Sequence, residues 1–404
     1  MIKVGPPKRD TIPIMTRTFH RDRFTWLAYL SLAFYAYFLN VLGPITPFLK
    51  EELRLSYTVS SFHFTAFAVG ILLIGLGGHV LVQRIGRWRS LWIGVIGISL
   101  SALFLLTGRI PVITIGASFL MGLVGSLILT IVPAALSDGH GELRAVALSE
   151  ANMLSSVVAT AAPLMVGWFA HFTGGWRLAL GIVAFTPILM FQSLGKGTSS
   201  AEASTIEEPT QANQPLPNLF WVYWVAIVLG VSVEFCMIFW SADYLEQVLG
   251  MIRADAAQAL SLFLAAMILG RVMGSRLVQR FSAGTVVTVS ILIASIGFLA
   301  FWKTESVFVG LSGLFLTGLG VANLYPLLLS LTIGAANGHT VQASARATLA
   351  SGTAILTLPL VLGRLADAVG IRSAYGVVVL LLISVFLISQ IAGRMSPAHR
   401  SVIQ

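Results

Sequence analysis

Long apolar runs separated by short polar connectors cover nearly the whole chain. Six of them, at Phe24–Leu49, Leu55–Gln83, Ser90–Gly108, Ile110–Ser137, Ala145–Trp176 and Leu178–Gly195, carry few or no charges. A polar segment rich in Ser, Glu, Thr, Gln and Pro follows at Lys196–Pro217, and then six more runs: Asn218–Ala242, Ala256–Arg280, Phe281–Trp302, Ser306–Gly334, Ala345–Gly363 and Ser373–Gly393. Each is long enough to cross about 30 Å of hydrocarbon as a helix. The roughly ten-residue alternation of a membrane β-barrel is absent. The pattern predicts an all-α membrane protein with twelve transmembrane helices. Residues 1–23 form an N-terminal segment, 24–195 and 218–393 two six-helix bundles, 196–217 the loop between them, and 394–404 a tail.

The two halves repeat. LVQR at Leu81–Arg84 recurs at Leu277–Arg280, FLMGL at Phe119–Leu123 recurs as FLTGL at Phe315–Leu319, and Pro163, Leu164, Gly167 and Ala170 recur as Pro359, Leu360, Gly363 and Ala366. All three matches share one offset of 196 residues. Two related six-helix units related by an axis normal to the membrane are a transporter architecture, with the solute site between them near the midplane.

Composition narrows the class. The chain is 56% hydrophobic and only 10% charged, with a mean hydropathy of +0.88. A water-soluble enzyme of 404 residues would carry roughly a quarter charged residues, so that class is excluded. The net charge of +9 comes without a basic stripe interleaved with aromatics, which argues against nucleic acid. Instead the cations flank the apolar runs: 17 Lys and Arg fall on the side of the termini and central loop, and 8 on the other. That bias predicts a cytoplasmic (plasma) membrane protein with both termini and the central loop in the cytoplasm. Residues 1–23 have no apolar core of a cleavable leader, and the lone Cys236 can form no internal disulfide.

With these features the chain resembles the major facilitator superfamily of secondary transporters over residues 24–393. GGHVLVQRIGRWR at Gly77–Arg89 looks like the family's loop signature, with Gly78, Arg84, Gly86 and Arg87 in its places. The second copy, at Gly270–Phe281, supplies Gly274 and Arg280. Gln83 and Gln279 stand where the signature has an aspartate, Ser118 where many proton-driven members carry an arginine, and Ala162 where the drug antiporters have a glycine before proline. These departures speak against a multidrug antiporter. A finer resemblance, in Val231–Gly250 and Gly318–Leu331, is to the fucose-permease-like branch, which imports sugars and related polar solutes with protons.

Ionisable groups inside the runs are few, and each needs a reason in a lipid solvent. Glu234 lies sixteen residues past Asn218, about 24 Å along the helix, which places it in the outer half of the bilayer as the candidate proton-coupling group. The resemblance implies that the first, fourth, seventh and tenth helices line the cavity, so Asn40, Asn323 and Tyr325, with Tyr35, Tyr37 and Trp240 as aromatic faces, are candidate solute contacts. Interhelical hydrogen bonding or interfacial anchoring is the competing reading for each. For a cytoplasmic gate, Glu150 is expected to meet Arg271, which shares a face with the close-packing Gly274, with Arg346 joining when that side closes. His171 and Asp367, at matching helix ends, read as solvated.

No cluster has metal-ligand spacing and no nucleotide loop is present, so neither cofactor nor metal is expected. The function this predicts is alternating-access transport by a monomer, with a small organic solute and protons as cargo and lipid as its surroundings. Proton-coupled uptake of a sugar- or carboxylate-like solute and proton-driven efflux of an amphipathic compound both remain open at this point.

Overall fold

The computed structural model describes residues 19–195, 215–336 and 340–395. Segments 1–18, 196–214 and 396–404, which hold most of the predicted N-terminal segment, central loop and tail, lie outside the described residues. Twelve membrane-length helices are present among those described. The first six are α1 (Arg23–Glu52), α2 (Tyr57–Ile85), α3 (Arg87–Thr107), α4 (Pro111–His140), α5 (Arg144–Ala170) and α6 (Arg177–Leu194). The second six are α7 (Asn218–Leu249), α8 (Arg253–Leu277), α9 (Ala283–Lys303), α10 (Val307–Gly334), α11 (Thr340–Val369) and α12 (Ile371–Met395).

Local chemistry sets several helix ends. Asp22, Ser56 and Ser282 cap α1, α2 and α9 by accepting from the backbone N–H three residues on. Gly86, at φ +91°, turns α2 into α3 in a single residue, which a side chain at that position would resist. Helix α10 is broken into Val307–Val321 and Leu324–Gly334.

Large apolar side chains cover the outside, among them Leu76, Phe104, Val112, Phe308 and Leu380. A surface of this kind fits lipid and not water.

The two bundles pack alike. Helix α1 lies on α5, α2 on α4 and α3 on α4, while in the second bundle α7 lies on α11, α8 on α10 and α9 on α10. The repeated FLxGL segments show why. A Cβ on Gly122 would sit 2.1 Å from Phe67 O, and one on Gly318 would sit 2.4 Å from Phe263 O. These four residues are two pairs at the same 196-residue offset. Glycine lets each helix pair approach to backbone contact, the usual driving geometry where lipid gives no hydrophobic force between helices.

Between the bundles, α2 faces α11 and α5 faces α8, again a symmetric pair, with α1 against α7 at the centre. Repeat mates Gly167 and Gly363 lie in this seam, against Ala254 O of α8 and against Ser61 Oγ of α2.

Candidate substrate cavity and its seals

A cavity of about 210 Å³ lies between the bundles. Its wall is built from single helical faces. Helix α1 contributes Leu32, Tyr35, Ala36, Leu39 and Asn40; α5 contributes Asn152, Ser155, Ser156 and Ala159; α8 contributes Leu264, Met267, Ile268 and Arg271. Each set follows the i, i+3, i+4, i+7 spacing of one stripe. Helix α7 adds Glu234, Phe235 and Ile238, and α4 adds Leu129.

Glu234 is sixteen residues after Asn218 and fifteen before Leu249, so it occupies the middle of α7. The expected position in the outer half is corrected, because α7 continues seven residues past the predicted end at Ala242. No hydrogen bond reaches the Glu234 carboxylate among the described residues, and Arg271 of α8 lines the same cavity. Arg271 itself makes one long contact, donating to Ser156 Oγ at 3.5 Å. The repeat mates of Glu234 and Arg271 are Phe38 and Gly75. These charges are therefore not part of the shared scaffold of the two halves.

Other predicted cavity residues sit elsewhere. Tyr37 is turned away from the cavity and donates its hydroxyl to Ala179 O on α6 at 3.0 Å. It is one residue off the α1 stripe, which is enough to point it into the first bundle. Trp240 is fully buried and donates Nε1–H to Pro359 O on α11 at 3.1 Å. Asn323, at the break in α10, donates to Gly270 O on α8 at 2.9 Å, and a Cβ on Gly274 would fall 2.0 Å from its Oδ1. Gly274 thus packs against α10. Tyr325 meets Ser351 on α11 and is absent from the cavity wall. Of the candidate solute contacts only Asn40 and Tyr35 line the cavity, and α5 and α8 take the place expected for α10.

The expected Glu150–Arg271 gate is not assembled in this state, in which the side of the termini is the open one. Glu150 is bound within its own bundle, accepting from Arg21 Nε at 2.8 Å, Arg21 Nη2 at 2.6 Å and the Tyr29 hydroxyl at 3.1 Å. This pairing holds the Arg21 guanidinium, outside the span, above its usual pKa. Arg271 is level with Ser156, six residues and so about 9 Å along α5 from Glu150. Arg346 meets neither, and its backbone carbonyl accepts from Trp224 Nε1 at 2.9 Å.

On the side opposite the termini the bundles are joined by polar contacts. Lys50 of α1 pairs with Asp243 of α7 and lies over the Tyr57 ring at 3.9 Å. Arg253 of α8 pairs with Glu51 of α1 and, at 2.7 Å, with Glu246 of α7. Asp367 of α11 accepts from the Tyr57 and Thr58 N–H groups of α2, both at 2.8 Å. Phe64 and Phe239 stack at 4.0 Å beneath this layer. Among the described residues, every polar contact between bundles lies at cavity level or on this side. Asp367, expected to be solvated, is one of its ties, and its repeat mate His171 lies 3.6 Å from Asp255 across α5 and α8.

A family model described as Major Facilitator Superfamily matches residues 28–252, more than half of the chain. The chain belongs to the major facilitator superfamily. A glucose/galactose transporter of Brucella abortus is 25% identical over 401 residues, covering 90% of this chain and 93% of its own. An uncharacterised MFS-type transporter of Yersinia pestis is 30% identical over 171 residues, a match spanning 41% of this chain and 44% of that relative. Among solved structures, a bacterial homolog of the human lysosomal transporter Spinster, inward-facing and occupied, superposes with a TM-score of 0.79 at 16% identity, over 95% of this chain and 99% of that one. At that identity the likeness is one of fold. This superfamily member is a multi-pass membrane transporter for a small solute and not an enzyme.

The superfamily loop signature can now be placed. Gly86 makes the tight turn between α2 and α3, and Arg87 donates to Asp138 at the end of α4 at 2.6 Å. Arg84 and Arg280 are exposed on the termini side, and Gly78 is buried in α2. With Gln83 exposed in place of an aspartate, the acidic partner of this arginine cluster comes from α4.

Proposed function

We propose that this transporter takes up a small polar organic solute together with a proton across the cytoplasmic membrane. Glu234 carries the reading: a lone carboxylate at the middle of a membrane-spanning helix, on the wall of the cavity between the bundles. An ionisable group at that depth belongs to a transport or proton pathway by default. The cavity volume is below the roughly 300–1,000 Å³ typical of drug-sized ligands, and its amides and hydroxyls favour a polar cargo over an amphipathic one. The glucose/galactose relative and the resemblance to the fucose-permease-like branch point the same way.

The bias of 17 cations to 8 supports termini and central loop in the cytoplasm. In that orientation the closed side is extracellular and the molecule is inward-facing. The protein works as a monomer, each bundle rocking over the solute.

Glu234→Gln keeps shape and hydrogen bonding but cannot exchange a proton. In proteoliposomes it should abolish accumulation driven by a pH gradient while leaving solute counterflow. Normal accumulation by the Gln variant would remove proton coupling from this residue.

A further inference from the structure

The cavity wall has a division of labour between its two bundles. In the first bundle two asparagines and two serines each turn a donor back onto their own helix. Asn40 Nδ2 donates to Ala36 O, Asn152 Nδ2 to Leu148 O, Ser155 Oγ to Ala151 O and Ser156 Oγ to Asn152 O. A serine hydroxyl has one donor, so what these serines offer the cavity is acceptor lone pairs, and each asparagine adds its carbonyl oxygen. Acceptors of this kind suit the O–H groups of a hydroxylated solute. In the second bundle Arg271 is the opposite case: a guanidinium with five donors, of which one makes a single long contact. Its planar fork matches a carboxylate in two parallel hydrogen bonds. A neutral sugar gives no reason to hold a guanidinium with so few hydrogen-bond partners six residues inside the end of α8, on the cavity wall.

Charge balance adds a second constraint. The cavity wall carries Arg271 and Glu234, which together are neutral. A monocarboxylate bound on Arg271 brings one net negative charge into a space that must close on both sides during transport. A proton on Glu234 restores neutrality, and an unbalanced charge in a low-dielectric compartment is disfavoured.

Resting on the uptake reading above, we propose that the substrate is a hydroxylated monocarboxylate, a hydroxy acid or sugar acid. Its carboxylate sits on Arg271 and its hydroxyls on the acceptors of Asn40, Asn152, Ser155 and Ser156. One proton on Glu234 accompanies each molecule, so the transport step carries no net charge.

The test uses purified full-length protein and a defined probe panel in thermal-shift binding: glycolate, lactate, glycerate, gluconate and galacturonate against glycerol, glucose and galactose. At least one acid should stabilise the native protein, with no neutral probe doing so. Arg271→Gln should weaken that acid at least tenfold, and Arg271→Lys, which keeps the charge without the fork, should fall between. In proteoliposomes, uptake of the same acid should follow the pH gradient and ignore an imposed membrane potential.

A neutral sugar bound equally by native protein and Arg271→Gln, an acid bound equally by both, or a panel with no acid bound overturns the proposal. A native-like melting transition of Arg271→Lys guards against a folding artefact. A neutral sugar whose accumulation still depends on Glu234 would sink the carboxylate class and leave proton-coupled uptake standing. An acid that needs Arg271 but accumulates without Glu234 would do the reverse.

Discussion

Lys50 of α1 and Asp243 of α7 form an ion pair across the bundle seam, with the Asp243 side chain fully buried. The pair lies on the side away from the termini, and closing that side is what brings the two helices together. Removing one partner leaves the other charge without compensation, a loss of about 3–5 kcal/mol for a buried pair. Lys50→Ala or Asp243→Asn should therefore shift the protein towards a state open on this side. Distances between spin labels on the far ends of α1 and α7 should lengthen in either variant. Replacing both by apolar residues, as in Lys50→Met with Asp243→Leu, should recover most of the closed population. No lengthening in the single variants would show that the pair does not hold the seal.

A second tie can be tested separately. The Asp367 carboxylate satisfies the Tyr57 and Thr58 N–H groups, which the start of α2 leaves without intrahelical partners. Asp367→Ala should cost about 1–2 kcal/mol, the scale of a lost helix cap, and act on the closed state because the contact crosses the seam. The same label pair moved to α2 and α11 would report it. Asp367→Asn should lose less, since an amide oxygen can still accept from one N–H. His171 and Asp255 at the symmetric position are each half exposed at 3.6 Å, so replacing His171 should change little.

How much of this could be seen in the chain depends on the kind of signal. Span number, the two-bundle plan and the repeat were readable because lipid demands long apolar helices and duplication leaves an offset. Which face of each helix meets the cavity was not, since in lipid the apolar pattern runs nearly all round and periodicity loses its contrast. Tyr37 and Tyr35 differ by two positions, and only one reaches the cavity. Asp243 and Glu246 lie just past the apolar run, which charge ends at Ala242. They belong to the last turns of α7, paired with Lys50 and Arg253. The partners of Glu150 were equally hidden: Arg21 and Arg271 lie 129 and 121 residues from it, and sequence distance cannot choose between them. One further signal lies in the repeat. Asp367 and His171 share the 196-residue offset, and positions kept polar in both halves mark a shared surface.

Glu150, unlike the residues of the far-side seal, is predicted to leave the bundles where they are. Because it binds Arg21 and Tyr29 of its own bundle, Glu150→Ala should leave distances between bundles unchanged on both faces. Its effect should be confined to the start of α1, read as faster amide hydrogen exchange at residues 21–29. A change in inter-bundle distance would restore it to a gating role.

The last prediction concerns the crossings that build each bundle. Gly122 of α4 touches the backbone of α2 at Phe67, and Gly318 of α10 touches that of α8 at Phe263. In both cases the atom in the way of a Cβ is a main-chain carbonyl oxygen, at 2.1 and 2.4 Å, so no side chain can rotate to make room. The helices would have to move apart, opening gaps along a tightly packed line. Overpacking of this kind costs about 1–3 kcal/mol for a single added methyl and more for a branched side chain. Gly122→Ala and Gly318→Ala should therefore lower the thermal midpoint by similar amounts, with Gly122→Val and Gly318→Val worse. Their effects should add, because the two sites sit in different bundles and share no partner. As a control, Gly116 on the same α4 has open space where a Cβ would go, and Gly116→Ala should be neutral or slightly stabilising. If Gly116→Ala destabilised as much as Gly122→Ala, close crossing would not be the cause, because alanine favours the helix over glycine wherever there is room for it.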